Sequence, residues 1–516
     1  MVPAERVSQP EKLPALASPQ AAGMNEKTAL AGWGRLLDGT IFSLFVLFAI
    51  CLPHSIKGAQ NAWKLAFILW LVKLVVERKR PFDQPLAAPL LAYVTLSGIS
   101  TALSPDPYLS WDRMKIVCLV LVGIVVAQNL KRLSQVRILV FLLVLSGLAA
   151  AGFTAWQYTY GVGVQVKHIL GGTPLSLSGV RTNDIITAIN GEKVHSAAQL
   201  EHVVLQSSPD AMLHLEMLRG YPFQKERSYI RRDGFMRSGF GTPNLQFGRG
   251  KPFRAQGTLG HYIVFAEMLM QIGCMTWAMM LSVAPRKRAL QVFLAITFLA
   301  LTAAMLATEA RATVAGLAVG CMAALLILAG KRWRVAAACG LAVLLIAAGL
   351  WIQHRRGINW TDTNDPGTNF RMLMWADGVR LVKQHPWFGV GMETVRLHFQ
   401  EWNIRGFLQY HVISHFHSTL LQIAVERGLP TLAAWLWFVI AYLIFLVRLL
   451  RRTSEKSRFA TGVVAGVLGG FLAFQTTSLV NYNLGEESLV MVLFFYFGLA
   501  VAIDRMLREP YAINVP

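Results

Sequence analysis

The sequence is short of charge, and of negative charge above all. Of 516 residues only 15% are charged, with 28 Asp and Glu against 49 Lys and Arg. A chain that is 54% hydrophobic, with a mean hydropathy of +0.46, is too apolar for an ordinary soluble domain of this size. Cysteine is scarce as well: Cys51, Cys118, Cys274, Cys321 and Cys339 all fall inside apolar runs, which argues against a disulfide framework or a cysteine metal site. Residues 1–36 lack the apolar core of a signal peptide and read as a disordered cytoplasmic tail.

What is present is a series of apolar runs, each near the roughly 20 residues that a membrane helix needs. Twelve such segments are expected, near 38–54, 61–77, 86–103, 111–129, 136–158, 258–282, 288–307, 312–330, 334–352, 417–449, 459–480 and 487–506. The net charge of +21 does not point to nucleic acid, because the basic residues sit in short clusters such as "ERKR", "PRKR", "KRWR" and "RRTSEKSR" between these runs. With the N-terminus inside, every basic loop falls on the cytoplasmic side, and "SPDPYLSWDR", "ATEAR" and "NYNLGEE" fall outside. The pattern predicts an all-α polytopic membrane protein with both termini cytoplasmic and two long segments facing outward. Its divisions are helices 1–5 in 37–158, an insert at 159–235, a linker at 236–257, helices 6–9 in 258–352, a second outer loop at 353–416, helices 10–12 in 417–506 and a tail at 507–516.

The insert has a different texture. "VQVKHI" and "AMLHLEML" alternate like strands, "TNDIITAINGEKV" reads as two strands around an Asn-Gly turn, and Ser196 caps a helix with apolar positions at Leu200, Val203 and Val204. A small α+β domain is expected. Its "SGVRTNDIITAINGEKV", with Gly179, Asp184, Ile185, Ile186, Asn190 and Gly191, followed by Arg219 and Gly220, resembles the PDZ domains attached to bacterial periplasmic proteases. That resemblance implies capture of a peptide or protein C-terminus as an added strand, with Gly161, Val162, Gly163 and Val164 as the carboxylate loop. A packing module with no peptide ligand fits the same residues.

In the second outer segment, "NFRMLMWADGVRLVKQ" predicts an amphipathic helix over about 370–384, stopped by Pro386, with Arg371 and Trp375 on one face. An aromatic anchor beside a snorkelling arginine also explains that pair. Arg311 stands at the outer end of a span, where contact with membrane lipid headgroups is the plain alternative to a functional role. The stretch "HFHSTLLQIAVERGLPT" sets His415, His417 and Ser418 where a span begins. On a continuous helix Gly428 would lie on the face of His417, about 20° from alignment, and admit a neighbouring helix. A zinc site from His411, His415 and His417 lacks a recurring fourth ligand, and no metal or other cofactor is expected.

"HSTLLQIAVERGLPT" fits a His, then Asn, Ser or Gln, nine residues, Gly, two residues, then Gly, Thr or Tyr, and so resembles the O-antigen ligase family at His417, Ser418, Gly428 and Thr431. "FRAQGTLGHYIVFAEML", "TEARATVAGLAVG" and "NFRMLMWADGVRLVKQHPWFGVG" resemble further family segments. The resemblance implies a GT-C-like, metal-independent, inverting glycosyltransferase whose donor is an undecaprenyl diphosphate-linked glycan and whose acceptor is a hydroxyl of lipid A-core or a related molecule. It implies His417 as general base, Arg371 and Arg311 as diphosphate ligands, and Ser418, His415, His261 and Trp375 as substrate-binding residues. A glycan polymerase and a protein O-oligosaccharyltransferase share the scaffold. A secondary transporter with Arg311 and His417 as coupling groups is the reading from another class, but it predicts midplane polar breaks and an internal repeat.

Overall fold

The computed structural model describes residues 19–77, 85–161, 163–219, 224–250, 254–328, 366–410 and 414–508, with scattered positions between 330 and 354. The chain opens with helices α1 (Pro19–Cys51), α2 (Ile56–Glu77), α3 (Ala87–Ala102), α4 (Pro107–Val117), α5 (Val120–Asn129) and α6 (Leu133–Tyr160). The insert follows as β1 (Val164–Ile169), α7 (Pro174–Leu177), β2 (Ile185–Ile189), β3 (Glu192–Lys193), α8 (Ala197–Gln206), β4 (Met212–Arg219), β5 (Gln224–Arg231), α9 (Arg232–Arg237) and β6 (Leu245–Arg249). Helices α10 (Tyr262–Ser282), α11 (Arg288–Leu306), α12 (Arg311–Leu328), α13 (Pro366–Gln384), α14 (Arg405–Tyr410), α15 (Thr419–Ser454), α16 (Arg458–Ser478) and α17 (Glu487–Arg508) complete it.

Nine helices among the described residues are long and apolar enough to cross a membrane. The twelve expected spans are therefore not all matched one for one. α3 has only 16 residues, the expected span 111–129 is broken into α4 and α5 at Cys118 and Leu119, and about half of 334–352 lies outside the described residues. α15 exposes Trp437, Ile440, Ile444 and Val447 along one side. That apolar surface suits a hydrocarbon solvent.

At the centre, α10 packs on α12 and α16. α12 and α16 meet through glycine: a methyl on Gly320 would lie 2.4 Å from the Gly469 carbonyl oxygen, and one on Gly469 2.7 Å from that of Gly320. Where lipid is as apolar as any side chain, such backbone approach supplies the packing that leucine supplies in water.

The insert is an antiparallel sheet in the order β5-β4-β2-β1-β6, with β3 paired to β2. Asn190 and Gly191 both have positive φ, 52° and 83°, as a two-residue hairpin between β2 and β3 requires. Ser196 Oγ accepts from the Gln199 amide at 3.2 Å and caps α8. The buried Asp184 takes a two-pronged bond from Arg219, with Nε at 2.8 Å and an Nη at 2.6 Å. Residues 236–250, expected to be linker, instead carry the end of α9 and strand β6, and Leu245 is part of the insert's core.

The expectation that His417 and Gly428 share one continuous helical face needs correction. His417 precedes α15 with φ of +50°, and Gly428 breaks the helix with φ +82° and ψ 169°. Its Cβ position is 2.1 Å from the Trp387 carbonyl oxygen, so the close neighbour is the 386–391 loop, not a helix. Gly428→Ala combines a left-handed strain with that backbone clash. It should lower stability by about 3 kcal/mol or more, read as an early thermal transition of the detergent-solubilised protein.

Candidate active site

The 386–391 loop enters the gap that Gly428 opens and takes the place of a helical turn. Val390 N–H donates to Val425 O, Gly391 N–H to Glu426 O and Leu429 N–H to Pro386 O, at 2.8–2.9 Å. Pro386 and the glycines of "FGVG" make the turn, as the sequence suggested, with φ of +67° at Gly389 and +89° at Gly391. α13 is thereby docked along α15.

This docking carries Arg371 and Trp375 to the histidines. Trp375 Nε1 donates to His417 O at 3.4 Å, and Phe370 stands edge-on to the His417 ring at 5.5 Å. The His415 and His417 rings lie 4.4 Å apart, and His415 Nδ1 accepts from the His417 amide at 3.1 Å. His417 Nδ1 is buried without a hydrogen-bond partner among the described residues.

The turn holding His417 is fixed from below. Gln422 Oε1 accepts from Phe416 N–H at 2.8 Å, and Gln422 Nε2 donates to Glu426 Oε1 at 2.8 Å. The same Glu426 oxygen accepts from Glu393 N–H at 2.9 Å. Thr419 Oγ1 donates to Asn481 O at 3.0 Å and to Asn483 Oδ1 at 2.7 Å, which anchors the start of α15 to the loop before α17. Ser418, predicted to bind substrate, is placed as the N-cap of α15, its Oγ accepting from the Leu421 amide at 3.5 Å.

Both histidines are held neutral. Burial, then the charge of Arg396, His261 and Arg371, pulls His415 down to about 4. Burial, then His415 and Arg371, pulls His417 down to about 2. Burial alone lowers His261, which caps α10 with its Nδ1 3.4 Å from the Val264 amide.

His415 also walls a cavity of about 290 Å³ with Arg113, Glu393, Arg396, Tyr482 and Glu486. Arg396 Nε is 2.8 Å from Glu393 and Arg113 Nε 3.7 Å from it. Burial raises Glu486 above the ordinary carboxyl range, while Arg113 and Arg396 draw it back. Sequence reading missed these residues: Glu486 belonged to an outer loop noted only for its charge, and the sequence does not show that residues 113, 396 and 486 meet.

Of the predicted residues, the fold brings His415, His417, Ser418, Arg371 and Trp375 together, with His261 close enough to act on His415. Arg311 opens α12 at the same end of the bundle, after a turn pinned by Ala255 N–H donating to Ala307 O at 2.9 Å. Gly161 ends α6, Gly163 and Val164 open the insert, and Val162 and His411 lie outside the described residues. No group of three or more His, Cys, Asp or Glu side chains is placed to hold a metal among the described residues.

A histidine neutral when folded and ordinary when unfolded binds fewer protons in the native state. Stability is then full above about pH 6.5 and falls as pH drops toward the folded values. The melting temperature should decline between pH 6.5 and 4, and less steeply in His415→Gln; equal slopes would mean that these imidazoles charge freely.

Residues 296–436, from α11 into α15, match the O-antigen ligase family. They contain Arg311, Arg371, His415, His417, Ser418, Gly428 and Thr431. Residues 128–225 match the PDZ domain, a range that starts before the sheet and ends before β6. A protein of Synechocystis sp. named as a serine protease, HhoA, is 36% identical over 58 residues, which is 11% of this chain and 15% of that protein. The chain is therefore a multi-pass membrane protein that carries a PDZ-matching insert and, after it, a region that matches the O-antigen ligase family.

Proposed function

We propose that the protein is a metal-independent glycosyltransferase that moves a glycan from undecaprenyl diphosphate to a hydroxyl of lipid A-core or a related acceptor at the periplasmic face of the inner membrane. The observation that carries this reading is Arg371 standing against two half-buried, neutral histidines at one end of the bundle. The match to the O-antigen ligase family over the same residues supports it.

In the proposed reaction the acceptor oxygen attacks the anomeric carbon as the bond to the diphosphate breaks, inverting the configuration. The diphosphate leaves with both bonding electrons, so negative charge accumulates, and guanidinium groups at Arg371 and Arg311 offset it by charge-assisted hydrogen bonds. The acceptor proton passes to His417. Burial first, and then neighbouring positive charge, makes this imidazole a weak base. A bound diphosphate opposes that charge and raises its basicity, so base and donor become ready together. The cavity beside His415 is the acceptor subsite, where Glu393 and Glu486 accept from sugar hydroxyls.

His417→Ala should cut transfer by roughly 10²–10⁴-fold, and Arg371→Ala by roughly 10²–10³-fold, with protein insertion unchanged. The assay is purified protein with the lipid-linked glycan, EDTA, and lipid A-core offered in competition with a periplasmic peptide pool. Lipid A-core carrying the glycan supports the reading. Glycosylated peptide or lengthened donor reassigns the acceptor, and an unturned donor removes the transferase. Glu486→Gln should raise the KM for acceptor several-fold and leave that for donor unchanged; the reverse pattern would move the acceptor elsewhere.

A further inference from the structure

A PDZ domain takes its ligand as an extra strand on the sheet edge that follows its glycine loop. In this chain Gly161 and Gly163 belong to that loop and the strand is β1. One side of β1 pairs with β2. The other side, where a ligand would add, pairs antiparallel with β6 from the same chain. Gln165 faces Gly248, Val166 faces Phe247, His168 faces Gln246 and Ile169 faces Leu245. The pairing is bracketed by Gly250 N–H donating to Gly163 O at 3.1 Å and Leu170 N–H donating to Asn244 O at 3.0 Å.

The polarity is that of a ligand. β6 runs with its C-terminal end toward the glycine loop, Arg249 opposite Val164, and it touches α8 on its other flank. Its apolar residues are two apart, as a strand requires if one face is to be buried. Leu245 is 3% exposed and shares the core of Leu200 and Val204 from α8. Phe247 stacks on Phe235 at 6.4 Å and lies 5.9 Å from Phe240. The chain continues past Gly250, so this occupant presents no free carboxylate to the loop.

We propose that Leu245–Arg249 is the built-in ligand of the PDZ domain, which makes the domain a latch closed on its own chain. The partner that opens it is an extended peptide with apolar residues two apart, taking the place of β6 along β1. The opposite edge of the sheet, β5, carries Arg227 and Arg231 and is a poorer template. Opening has a consequence for the site. The chain runs on to Arg254, buried and 4.4 Å from the Tyr262 ring, and to His261, which acts on His415. That consequence alone rests on the transferase reading; the occupancy of the groove does not.

The test uses the full-length protein in detergent and a fluorescent peptide copy of residues 243–250, PNLQFGRG, followed by anisotropy. Affinity for the probe is reduced by the fraction of molecules whose groove is open, so the wild type should bind it weakly. Phe247→Asp, which weakens β6 at a half-buried position, should bind it at least about tenfold more tightly. The pair His168→Cys and Gln246→Cys, exposed and directly opposed, should form a cross-strand disulfide. Oxidised, that variant should bind no probe, and reduction should return it to the wild-type level. Failure of the disulfide to form, or equal binding by oxidised and reduced protein, would overturn the proposal, as would a protease-resistant Phe247→Asp protein no tighter than wild type. Because the readout is peptide binding, an inactive transferase would leave this result standing.

Discussion

Much of the candidate site hangs on one buried carboxylate. Glu426 lies 2% exposed within α15, beside the break at Gly428. Through one oxygen it holds the Glu393 amide and the Gln422 side chain, and Gln422 in turn holds the amide of Phe416. A single acidic group therefore ties together the loop that follows α13, the wall of the outer cavity and the strained turn that presents His417. A buried carboxylate is costly unless hydrogen-bonded. Here the bonds that satisfy it are the ones that position the site.

The helix break is what makes such convergence possible. An unbroken helix satisfies its own carbonyls and has nothing to offer a loop. At Gly428 the backbone leaves the helical path, and the oxygens of Val425 and Glu426 become available to Val390 and Gly391. Ser100 Oγ also donates to the Glu426 carbonyl, at 3.1 Å, bringing α3 to the same point. Membrane-embedded backbone of this kind persists where protein, not lipid, takes up the freed groups.

The sequence makes some of this legible and hides the rest for physical reasons. Apolar runs and basic clusters locate most of the helices, because lipid imposes length and composition directly. The Asn190-Gly191 turn, the Ser196 cap, the helix bearing Arg371 and Trp375, and the turn at "FGVG" are readable because each depends on a few adjacent residues. The cavity formed by Arg113, Glu393, Arg396 and Glu486 depends on three distant segments meeting, and no local pattern encodes that. The misreading of His417 and Gly428 arose from assuming a regular helix, when the left-handed conformation at both residues ends that assumption. β6 was hidden because "LQFGR" is too short and too ordinary to be read as a strand until its partner is known.

That strand fixes the terms on which any outside molecule meets the insert. A segment joined to its own groove competes at an effective concentration set by a tether of a few residues, typically in the millimolar range for short flexible connections. A dilute peptide of equal intrinsic affinity is thus outcompeted by geometry alone. Only an abundant sequence, or one held nearby by a second attachment, is in a position to win. A groove latched in this way would favour neighbours at the membrane surface over solutes, whatever residues those neighbours present.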